Sequence, residues 1–267
     1  MVSETAGTNV VAIVQARMGS TRLPGKVLLP LEDHPVLWHV IDRVRRATTL
    51  NAVAVATTTE SADDAVAELC ASLSVDCFRG STDDVLDRYV GAAELLAADV
   101  VVRITADCPV IDPEVVDSVV SGFHAGQYDL YSLAGEYPNG LDCAVFRRSA
   151  LETAWREATL RSDREHVGPY IRRNPHRFSI GRHELFDGLG HMRWTLDEPR
   201  DYDLLRAIYA RLYVPGNPPF LTADILRLFE REPALMDINA GIVRNEGYLR
   251  SLANDARLTP PAHTSIE

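Results

Sequence analysis

Short apolar runs alternate with helical patterns through the first half of the chain. The runs cover residues 9–14 (NVVAIV), 52–57 (AVAVAT) and 99–105 (DVVVRIT), and they are rich in β-branched residues. Continuous apolar runs of this length are typical of strands that are buried on both faces. Because strands that alternate with helices indicate a mostly parallel sheet with right-handed crossovers, this half predicts an α/β fold.

Three amphipathic patterns predict the helices of this half. Each pattern repeats apolar residues at spacings of three and four, which places them on one face of a helix. The three faces consist of Val36, Leu37, Val40, Ile41 and Val44; of Ala65, Leu69 and Leu73; and of Val85, Leu86, Tyr89 and Ala93.

After about residue 125 the apolar runs become shorter. The runs predict strands at 128–133, 143–148, 177–182 and 192–196, and helices at 149–159, at 163–173, after residues 198–202 and after Pro219. No Gly/Ser-rich linker marks a boundary. The sequence therefore predicts one domain over 9–252, with a small β-rich subdomain at about 128–195, and flexible ends at 1–8 and 253–267.

Composition narrows the class of protein. Hydrophobic residues make up 46% and charged residues 24% of the 267 residues, which is ordinary for a globular protein. The formal net charge of −11 argues against general nucleic-acid binding, and no apolar run approaches the roughly 20 residues of a membrane span. The N-terminus shows no signal-peptide pattern, and the four cysteines form no CxxC pair. We therefore expect a cytoplasmic protein without structural zinc or disulfides.

The loop after the first run, residues 15–26 (QARMGSTRLPGK), carries three cations and two glycines. In open α/β sheets ligands bind at the carboxyl ends of the strands, where this loop meets residues 57–61 and 106–112. The loop is neither a Walker A motif nor a GxGxxG fingerprint. Gly19 and Gly25 still let backbone N–H groups approach an anion, and a following helix would add its positive end. The loop therefore predicts phosphate binding, with a solvated basic turn as the alternative.

The cations of this loop are Arg17, Arg22 and Lys26, and Lys26 is the sole lysine among 27 basic residues. A compact ammonium suits contact with a phosphate where a planar guanidinium fits less well. Chance in an arginine-rich chain is the alternative explanation. For an anionic substrate, these side chains supply the local positive charge that the acidic chain as a whole does not.

Two aspartates at strand ends predict a metal site. Asp107 follows the third run, and Asp197 follows the strand predicted at 192–196. Mg²⁺ commonly binds one or two carboxylates together with substrate oxygens. Each aspartate has an alternative role, because Asp107 suits a turn before Pro109 and Asp197 suits the N-cap of a helix that begins near Pro199.

A second basic segment lies at residues 161–170 (RSDREHVGPY). It concentrates Arg161, Arg164 and His166 near a predicted helix start. A receptor for a carboxylate or phosphate and a solvated helix terminus fit this pattern equally well.

These motifs together resemble the SpsF-type cytidylyltransferases, the spore-coat polysaccharide branch of a family that includes acylneuraminate and 3-deoxy-manno-octulosonate cytidylyltransferases. The resemblance runs from about residue 10 to about residue 252, through QARMGSTRLPGKVL, ATT, FRGSTDDVLDRY, VRITADCPVIDP, PNGLD, REHVGPYI, RWTLDEPRDY and RNEGYLRSL. It implies a Rossmann-like nucleotidyltransferase fold, Mg²⁺ dependence and a homodimer. It also implies transfer of CMP from CTP to a hydroxyl of a sugar acid, with release of pyrophosphate, for activated-sugar or cell-surface polysaccharide biosynthesis.

The resemblance also implies roles for individual residues. It places Arg17, Arg22 and Lys26 on the phosphates, as catalytic residues together with Asp107, and it places Asp107 and Asp197 on Mg²⁺. Nucleotide contacts are implied for Gln15, Ala16, Gly19, Ser20, Thr57, Thr58, Ser81, Arg88 and Arg103. Acceptor contacts are implied for Asn139, Asp142, Arg164, His166 and Trp194. These residues lie in the subdomain at about 128–195, which the resemblance also implies as the dimer interface.

Three positions depart from the family pattern. Ala106 stands where the family has glycine, Asn139 where it has aspartate and Glu198 where it has threonine. The first changes the space near the nucleotide, and the other two change the charge near the acceptor. The acceptor therefore stays open, with a sugar phosphate, a polyol phosphate or a phosphonate as alternatives to a sugar acid.

Two other classes of protein are compatible with such a fold. A metal-dependent glycosyltransferase shares the strand-end aspartate, but it does not need a basic loop for a terminal pyrophosphate. A catalytically silent nucleotide-binding protein needs neither Lys26 nor the pair Asp107 and Asp197, and all three are present.

Overall fold

The computed structural model describes residues 7–244, 246–253 and 255, without the side chain of Arg250. The strands are β1 (Val10–Gln15), β2 (Pro30–Leu31), β3 (His34–Pro35), β4 (Ala52–Thr58), β5 (Asp76–Gly80), β6 (Val100–Thr105), β7 (Leu130–Ala134), β8 (Ala144–Arg147) and β9 (Ile180–Glu184). Seven of them form one sheet in the order β5-β4-β1-β6-β8-β7-β9, and β2 and β3 form a hairpin.

Helices cover both faces of this sheet. They are α1 (Val36–Val44), α2 (Asp64–Ser72), α3 (Val85–Leu95), α4 (Pro113–Gly126), α5 (Arg148–Glu157), α6 (Arg161–His166), α7 (Pro169–Arg173), α8 (Pro199–Leu212), α9 (Thr222–Arg231) and α10 (Glu246–Ala253). Short 3₁₀ turns occupy Lys26–Leu28, Ser61–Asp63 and Pro233–Asp237. The helices predicted from amphipathic faces in the first half correspond to α1, α2 and α3, so those predictions are confirmed.

The central strand is buried on both sides, as its apolar run predicts. Val10, Ala12 and Val14 of β1 belong to one hydrophobic core, while Val11 and Ile13 belong to the core on the opposite face. The first core packs against α1, α4, α8 and α9, and the second packs against α3, α5 and α7. Burial on both faces explains why the strand needs no polar alternation.

The strand order places a crevice beside β1. Strand β1 pairs in parallel with β4 on one side and with β6 on the other, and the chain reaches β4 and β5 before it crosses back to β6. Such a reversal of strand order opens a crevice at the carboxyl ends of the two strands. Strand β8 runs antiparallel between β6 and β7, so the sheet is mostly but not wholly parallel.

Two predictions for the second half are wrong in detail. Residues 192–196 form no strand; they make an isolated bridge between Asn139 and Arg193. Trp194 and Leu196 are buried because this extended segment hydrogen-bonds to two loops, at Asn139 and at Asp107. The helix predicted at 163–173 is two short helices, α6 and α7, because Val167 has a φ of 70° and Pro169 begins a new helix.

Two elements give weak signals in the sequence. The edge strand β5 (DCFRG) is too polar to stand out, and we made no prediction for α4, although Asp112 caps it by accepting a hydrogen bond from the Glu114 N–H at 2.9 Å. Strands β7 to β9 extend the central sheet, and the division of the chain into an acceptor subdomain at 128–195 stays a prediction. Most residues of the flexible ends predicted at 1–8 and 253–267 lie outside the described residues.

No helix in the described part of the chain combines the length and the apolar character that crossing a membrane requires.

Candidate active site

A cleft of about 510 Å³ opens at the carboxyl ends of β1 and β6. Predicted site residues line it from the loop after β1, from α3, from the end of β6 and from α6. They are Gln15, Ala16, Arg17, Gly19, Ser20, Arg22, Lys26, Arg88, Arg103, Asp107, His166 and Asp197. The strand-end argument therefore finds the cleft, and the size of the cleft suits a nucleotide or a similar small molecule.

The basic loop is folded by its own backbone and by one buried carboxylate. The Met18 carbonyl accepts hydrogen bonds from the N–H groups of Ser20 at 2.8 Å and Gly25 at 3.1 Å. Gly25 has a φ of 69°, a left-handed conformation that glycine adopts without strain. The buried carboxylate of Asp63 accepts the Met18 N–H at 2.6 Å and the hydroxyl of Thr58. Asp63 thus ties the loop after β1 to β4, a positioning role that the sequence analysis missed.

No α-helix directly follows the loop, which corrects one expectation. Residues 26–28 form a 3₁₀ turn, the β2–β3 hairpin comes next, and α1 begins only at Val36. A helix terminus therefore adds no positive end at the loop. Any anion there depends on backbone N–H groups and on the cationic side chains.

Lys26 lies on the floor of the cleft between the two predicted metal ligands. Its Nζ donates hydrogen bonds of 2.8 Å to Asp107 Oδ2, to Asp197 Oδ1 and to the carbonyl of Leu196. Three acceptors satisfy all three N–H groups of the ammonium. Burial works against the charged form, but the two aspartates outweigh it and raise the pKa of Lys26. The ammonium is thus fixed between two carboxylates rather than free to contact a phosphate.

The same contact prepares Asp107 to bind a cation. Burial opposes ionisation of its carboxyl, but the charge of Lys26 and the hydrogen bond from it outweigh burial and lower the pKa of Asp107 to about 2. The carboxylate is therefore ionised throughout the neutral range. The loops that carry the two aspartates are joined by the Leu196 N–H, which donates to the Asp107 carbonyl at 2.8 Å.

Asp197 is not a helix cap. The N-cap of α8 is Glu198, and the buried carboxylate of Asp201 accepts the N–H groups of Asp197 and Glu198 at 3.0 Å each. Arg193 donates to Asp201 at 2.8 Å and also contacts Asp197 at 3.2 Å. Buried groups thus hold Asp197 with its side chain directed into the cleft, and its alternative role as a cap is excluded.

These side chains belong to one network of ion pairs with a negative surplus. It contains five carboxylates and three cations: Asp107, Asp197, Glu198, Asp201 and Glu246, with Arg22, Lys26 and Arg193. The net charge of −2 fits a divalent cation. Among the described residues no three His, Cys, Asp or Glu side chains converge as a metal cage. A metal here needs further oxygens from substrate and water, which is how Mg²⁺ commonly binds.

Arg22 links the basic loop to the end of the described chain. Its guanidinium contacts Asp197 at 3.1 Å, and Glu198 and Glu246 at 3.5 Å each. Glu246 begins α10, whose Gly247 and Ser251 line the cleft. The departure Glu198 therefore places its charge beside the loop. The C-terminal helix forms a wall of the cleft that we did not predict.

Two acceptor predictions are not supported by the geometry. The guanidinium of Arg164 is buried against Asp84 at 2.6 Å and the carbonyl of Trp155, and it does not line the cleft. Trp194 is fully buried in the core, where it packs edge-on against Phe229 with 6.1 Å between ring centroids. Both side chains are large and chemically suitable for a ligand, but the fold uses them for packing.

Five further predicted residues also lie outside the cleft lining. Thr57 and Thr58 are buried at the end of β4, and the Ser81 carbonyl accepts a hydrogen bond from Arg88. Asp142 accepts hydrogen bonds from the Tyr137 hydroxyl at 2.8 Å and the Gly140 N–H at 3.0 Å, and Asn139 pairs with the backbone of residues 192–194. These residues shape the loops around the cleft. Asn139, for example, forms backbone hydrogen bonds with the segment that leads to Asp197.

The cleft also has lining residues for which we made no prediction or only a general one. Arg161 and Glu165 come from α6, and Thr105 from the end of β6. Arg161 belongs to the basic segment described above, so its position supports the ligand-receptor explanation for that segment. Ala106, which replaces the family glycine, also lines the cleft, and its N–H donates to the Gln15 carbonyl at 3.0 Å.

Gly140 allows a test of how closely the loop at 138–142 packs against the segment that leads to Asp197. It has a φ of 116°, and a Cβ there would lie 2.7 Å from the Trp194 carbonyl carbon. We expect Gly140→Ala to lower the free energy of unfolding by about 2–4 kcal/mol, from backbone strain and overpacking together. Urea denaturation measures this. Gly188→Ala is the matched control, because Gly188 has a φ of 70° but open space around it. Equal losses in the two variants would contradict the proposed close packing.

The α/β sheet and its crevice, with a folded basic loop and paired aspartates at strand ends, place the protein among the nucleotidyltransferases. Residues 11–216 match the cytidylyltransferase family, and the chain belongs to that family.

Individual relatives agree with this assignment. The spore coat polysaccharide biosynthesis protein SpsF of Bacillus subtilis is 32% identical over 233 residues, which are 84% of this chain and 95% of that protein. A 3-deoxy-manno-octulosonate cytidylyltransferase of Anaeromyxobacter sp. is 38% identical over 119 residues, 44% of this chain and 48% of that protein. The structure of a cytidylyltransferase from Leptospira borgpetersenii matches with a TM-score of 0.82 and 31% identity, covering 89% of this chain and 100% of that one. The expected family, fold and enzyme class are thereby confirmed.

Proposed function

We propose that the protein transfers CMP from CTP to a hydroxyl of a sugar acid, releases pyrophosphate and uses Mg²⁺. The observation that best supports this function is the contact of Lys26 with both Asp107 and Asp197 at 2.8 Å, beside a folded basic loop. A cation that ends the basic loop and two carboxylates that would hold a divalent ion thus meet at one point of the cleft. That combination serves nucleotidyl transfer, whereas glycosyl transfer has no need of a loop for terminal phosphates.

In this proposal the triphosphate lies along residues 16–25, where Arg17 and the loop backbone face the cleft. The acceptor hydroxyl attacks the α-phosphorus in line and loses its proton, and the bond to the bridging oxygen of pyrophosphate breaks. The protein contributes chiefly by holding the two reactants in this alignment. Arg17 and Lys26 balance the negative charge that develops on the leaving group.

Asp107 and Asp197 are the residues that would hold the divalent ion. Such an ion would supply charge neutralisation at phosphate oxygens and acidify the attacking hydroxyl. Lys26 would then have the phosphates of the nucleotide as alternative partners to the two carboxylates. A homodimer, implied by the family resemblance, and a cytoplasmic location, expected from the sequence, belong to the same proposal.

Pyrophosphate release tests this function. The protein is incubated with Mg²⁺ and each of ATP, GTP, CTP and UTP, with a panel of ulosonic and nonulosonic acids, sugar phosphates, polyol phosphates and a phosphonate. We expect release with CTP and a sugar acid. Asp107→Asn is the control for contaminating activity, because it should be inactive. Release with a phosphate or phosphonate acceptor would change the acceptor class, and transfer of a sugar without pyrophosphate release would refute nucleotidyl transfer.

A further inference from the structure

Unpaired guanidinium groups are concentrated in the cleft. Within residues 7–244, the arginine side chains donate hydrogen bonds or form ion pairs, apart from four: Arg17, Arg103, Arg161 and Arg206. Three of these four line the cleft. The fourth, Arg206, lies on the exposed side of α8 next to the Tyr202 ring. Since the acidic chain pairs its other described arginines apart from Arg206, the three in the cleft are the guanidinium groups available there to an anion from outside the chain.

Two of them, Arg103 and Arg161, line the part of the cleft that β6 and α6 form. Arg103 projects from β6 to the same face as Val101, toward the core of α3 and α7, and Arg161 begins α6. The Nε of Arg103 is buried without a partner among the described residues, and so is the Nε2 of His166, five residues after Arg161 on α6. Buried polar atoms in native proteins are normally hydrogen-bonded, and these two belong to side chains that line the cleft, which favours a polar ligand there.

The His166 imidazole carries no charge at neutral pH. Burial lowers the pKa of His166; the charge of Glu165 opposes this and that of Arg103 adds to it. His166 is therefore neutral near pH 7 and can act as a hydrogen-bond partner rather than as a cation.

Two carboxylates lie near the cations in this part of the cleft. Glu165 lines the cleft, and its Oε2 accepts a hydrogen bond from the Ser251 hydroxyl of α10 at 2.8 Å. Asp255 accepts hydrogen bonds from the Ser162 N–H at 3.0 Å and the Ser162 hydroxyl at 2.7 Å at the start of α6. Both carboxylates are thus held by serine side chains rather than by the guanidinium groups of Arg103 or Arg161. Cytosine and ribose are both uncharged, so they supply no anionic partner for these two groups.

We infer that Arg103 and Arg161 bind an oxyanion of the acceptor, a carboxylate or a phosphate, with His166 as a neutral hydrogen-bond partner. The inference rests on the proposed nucleotidyl transfer and adds which residues select the acceptor. It assigns Arg103 to acceptor binding instead of nucleotide binding, and it assigns acceptor binding to Arg161 instead of the buried Arg164. The planar guanidinium groups suit bidentate contact with either oxyanion. Helix α10 covers this end of the cleft through Ser251.

Steady-state kinetics of Arg103→Gln and Arg161→Gln test the inference, with Arg206→Gln as the matched unpaired arginine outside the cleft. We expect each cleft variant to raise the KM for the acceptor by about 10- to 100-fold, as the loss of a charge-assisted hydrogen bond predicts. The dissociation constant for CTP, measured by calorimetry without acceptor, should stay within about twofold of wild type, because the phosphates bind at the other end. Arg206→Gln should change neither quantity.

The acceptors in the assay distinguish the two oxyanions. Turnover of 3-deoxy-manno-octulosonate or N-acetylneuraminate with a KM that depends on Arg103 and Arg161 assigns a carboxylate; turnover of a sugar 1-phosphate with the same dependence assigns a phosphate. An unchanged acceptor KM in both variants, or efficient use of a neutral sugar, would overturn the inference while nucleotidyl transfer stands. If wild type binds no nucleotide, the proposed function itself fails.

Binding gives a second readout that does not depend on turnover. The CTP complex is titrated by calorimetry with 3-deoxy-manno-octulosonate and with glucose 1-phosphate. Binding of either compound that Arg103→Gln weakens by the same factor as the acceptor KM supports the inference. Binding of neither compound to wild type, or binding that both variants retain, would refute it.

Discussion

Replacing Lys26 with methionine is expected to lower turnover by two or more orders of magnitude, the effect of losing a preorganised charge at the leaving group. The same change should lower the melting temperature in the absence of metal, because Asp107 and Asp197 then face each other without the ammonium that lies 2.8 Å from both. Mg²⁺ should restore much of this stability, since any cation bound only by the folded state stabilises it. Pyrophosphate release and thermal unfolding with and without Mg²⁺ measure these effects.

Two comparisons separate the roles of Lys26. Lys26→Arg keeps the charge but replaces a point donor by a planar fork, so we expect it to keep more stability than activity. Wild-type protein should gain less melting temperature from Mg²⁺ than Lys26→Met, because in wild type the ammonium already balances the carboxylates. Near-wild-type turnover in Lys26→Met would rule out a role for this side chain at the phosphates.

Replacing Asp107 or Asp197 with asparagine is expected to lower turnover at least 100-fold, because each change removes a proposed ligand for a divalent ion that would contribute several kcal/mol in the transition state. The amide has nearly the shape of the carboxylate, so the fold should persist. Calorimetric titration with Mg²⁺ in the presence of CTP should show weaker metal binding in both variants, and this readout does not require turnover.

Asp203→Asn is the matched control for these two variants. Asp203 lies on the exposed face of α8, close in sequence to Asp197 but outside the cleft. The control should leave turnover and Mg²⁺ binding at wild-type levels. Metal binding that persists unchanged in both Asp107→Asn and Asp197→Asn would exclude the paired aspartates as the metal site.

The sequence predicts the phosphate-loop end of the cleft well because local rules apply there. Arg17 and Asp107 come shortly after the ends of β1 and β6, Lys26 ends the loop that follows β1, and parallel strands bring such positions to one edge. Asp197 was found for a partly wrong reason. The strand predicted before it does not exist, but the extended segment 192–196 still carries it to the cleft.

Which side chains line the end of the cleft at β6 and α6 depends on long-range contacts that no local sequence pattern predicts. Arg164 and Arg161 lie on the same short helix, and only the position of Asp84, 80 residues earlier in the chain, explains why Arg164 is buried in an ion pair. Ser251 reaches the cleft because α10 packs on α6 across 86 residues of sequence. Such choices depend on tertiary packing, and sequence periodicity does not record them.

The position of Lys26 also has a consequence for metal binding. If Asp107 and Asp197 hold the proposed divalent ion, the ammonium and that ion cannot both occupy the space between them, and free metal would compete with an intramolecular cation. The apparent affinity for free Mg²⁺ would then equal the intrinsic affinity multiplied by the fraction of molecules in which Lys26 has withdrawn. A nucleotide phosphate gives Lys26 another partner and so raises that fraction. Metal and nucleotide should therefore bind together, so the metal affinity of the enzyme should depend on whether the nucleotide is already bound.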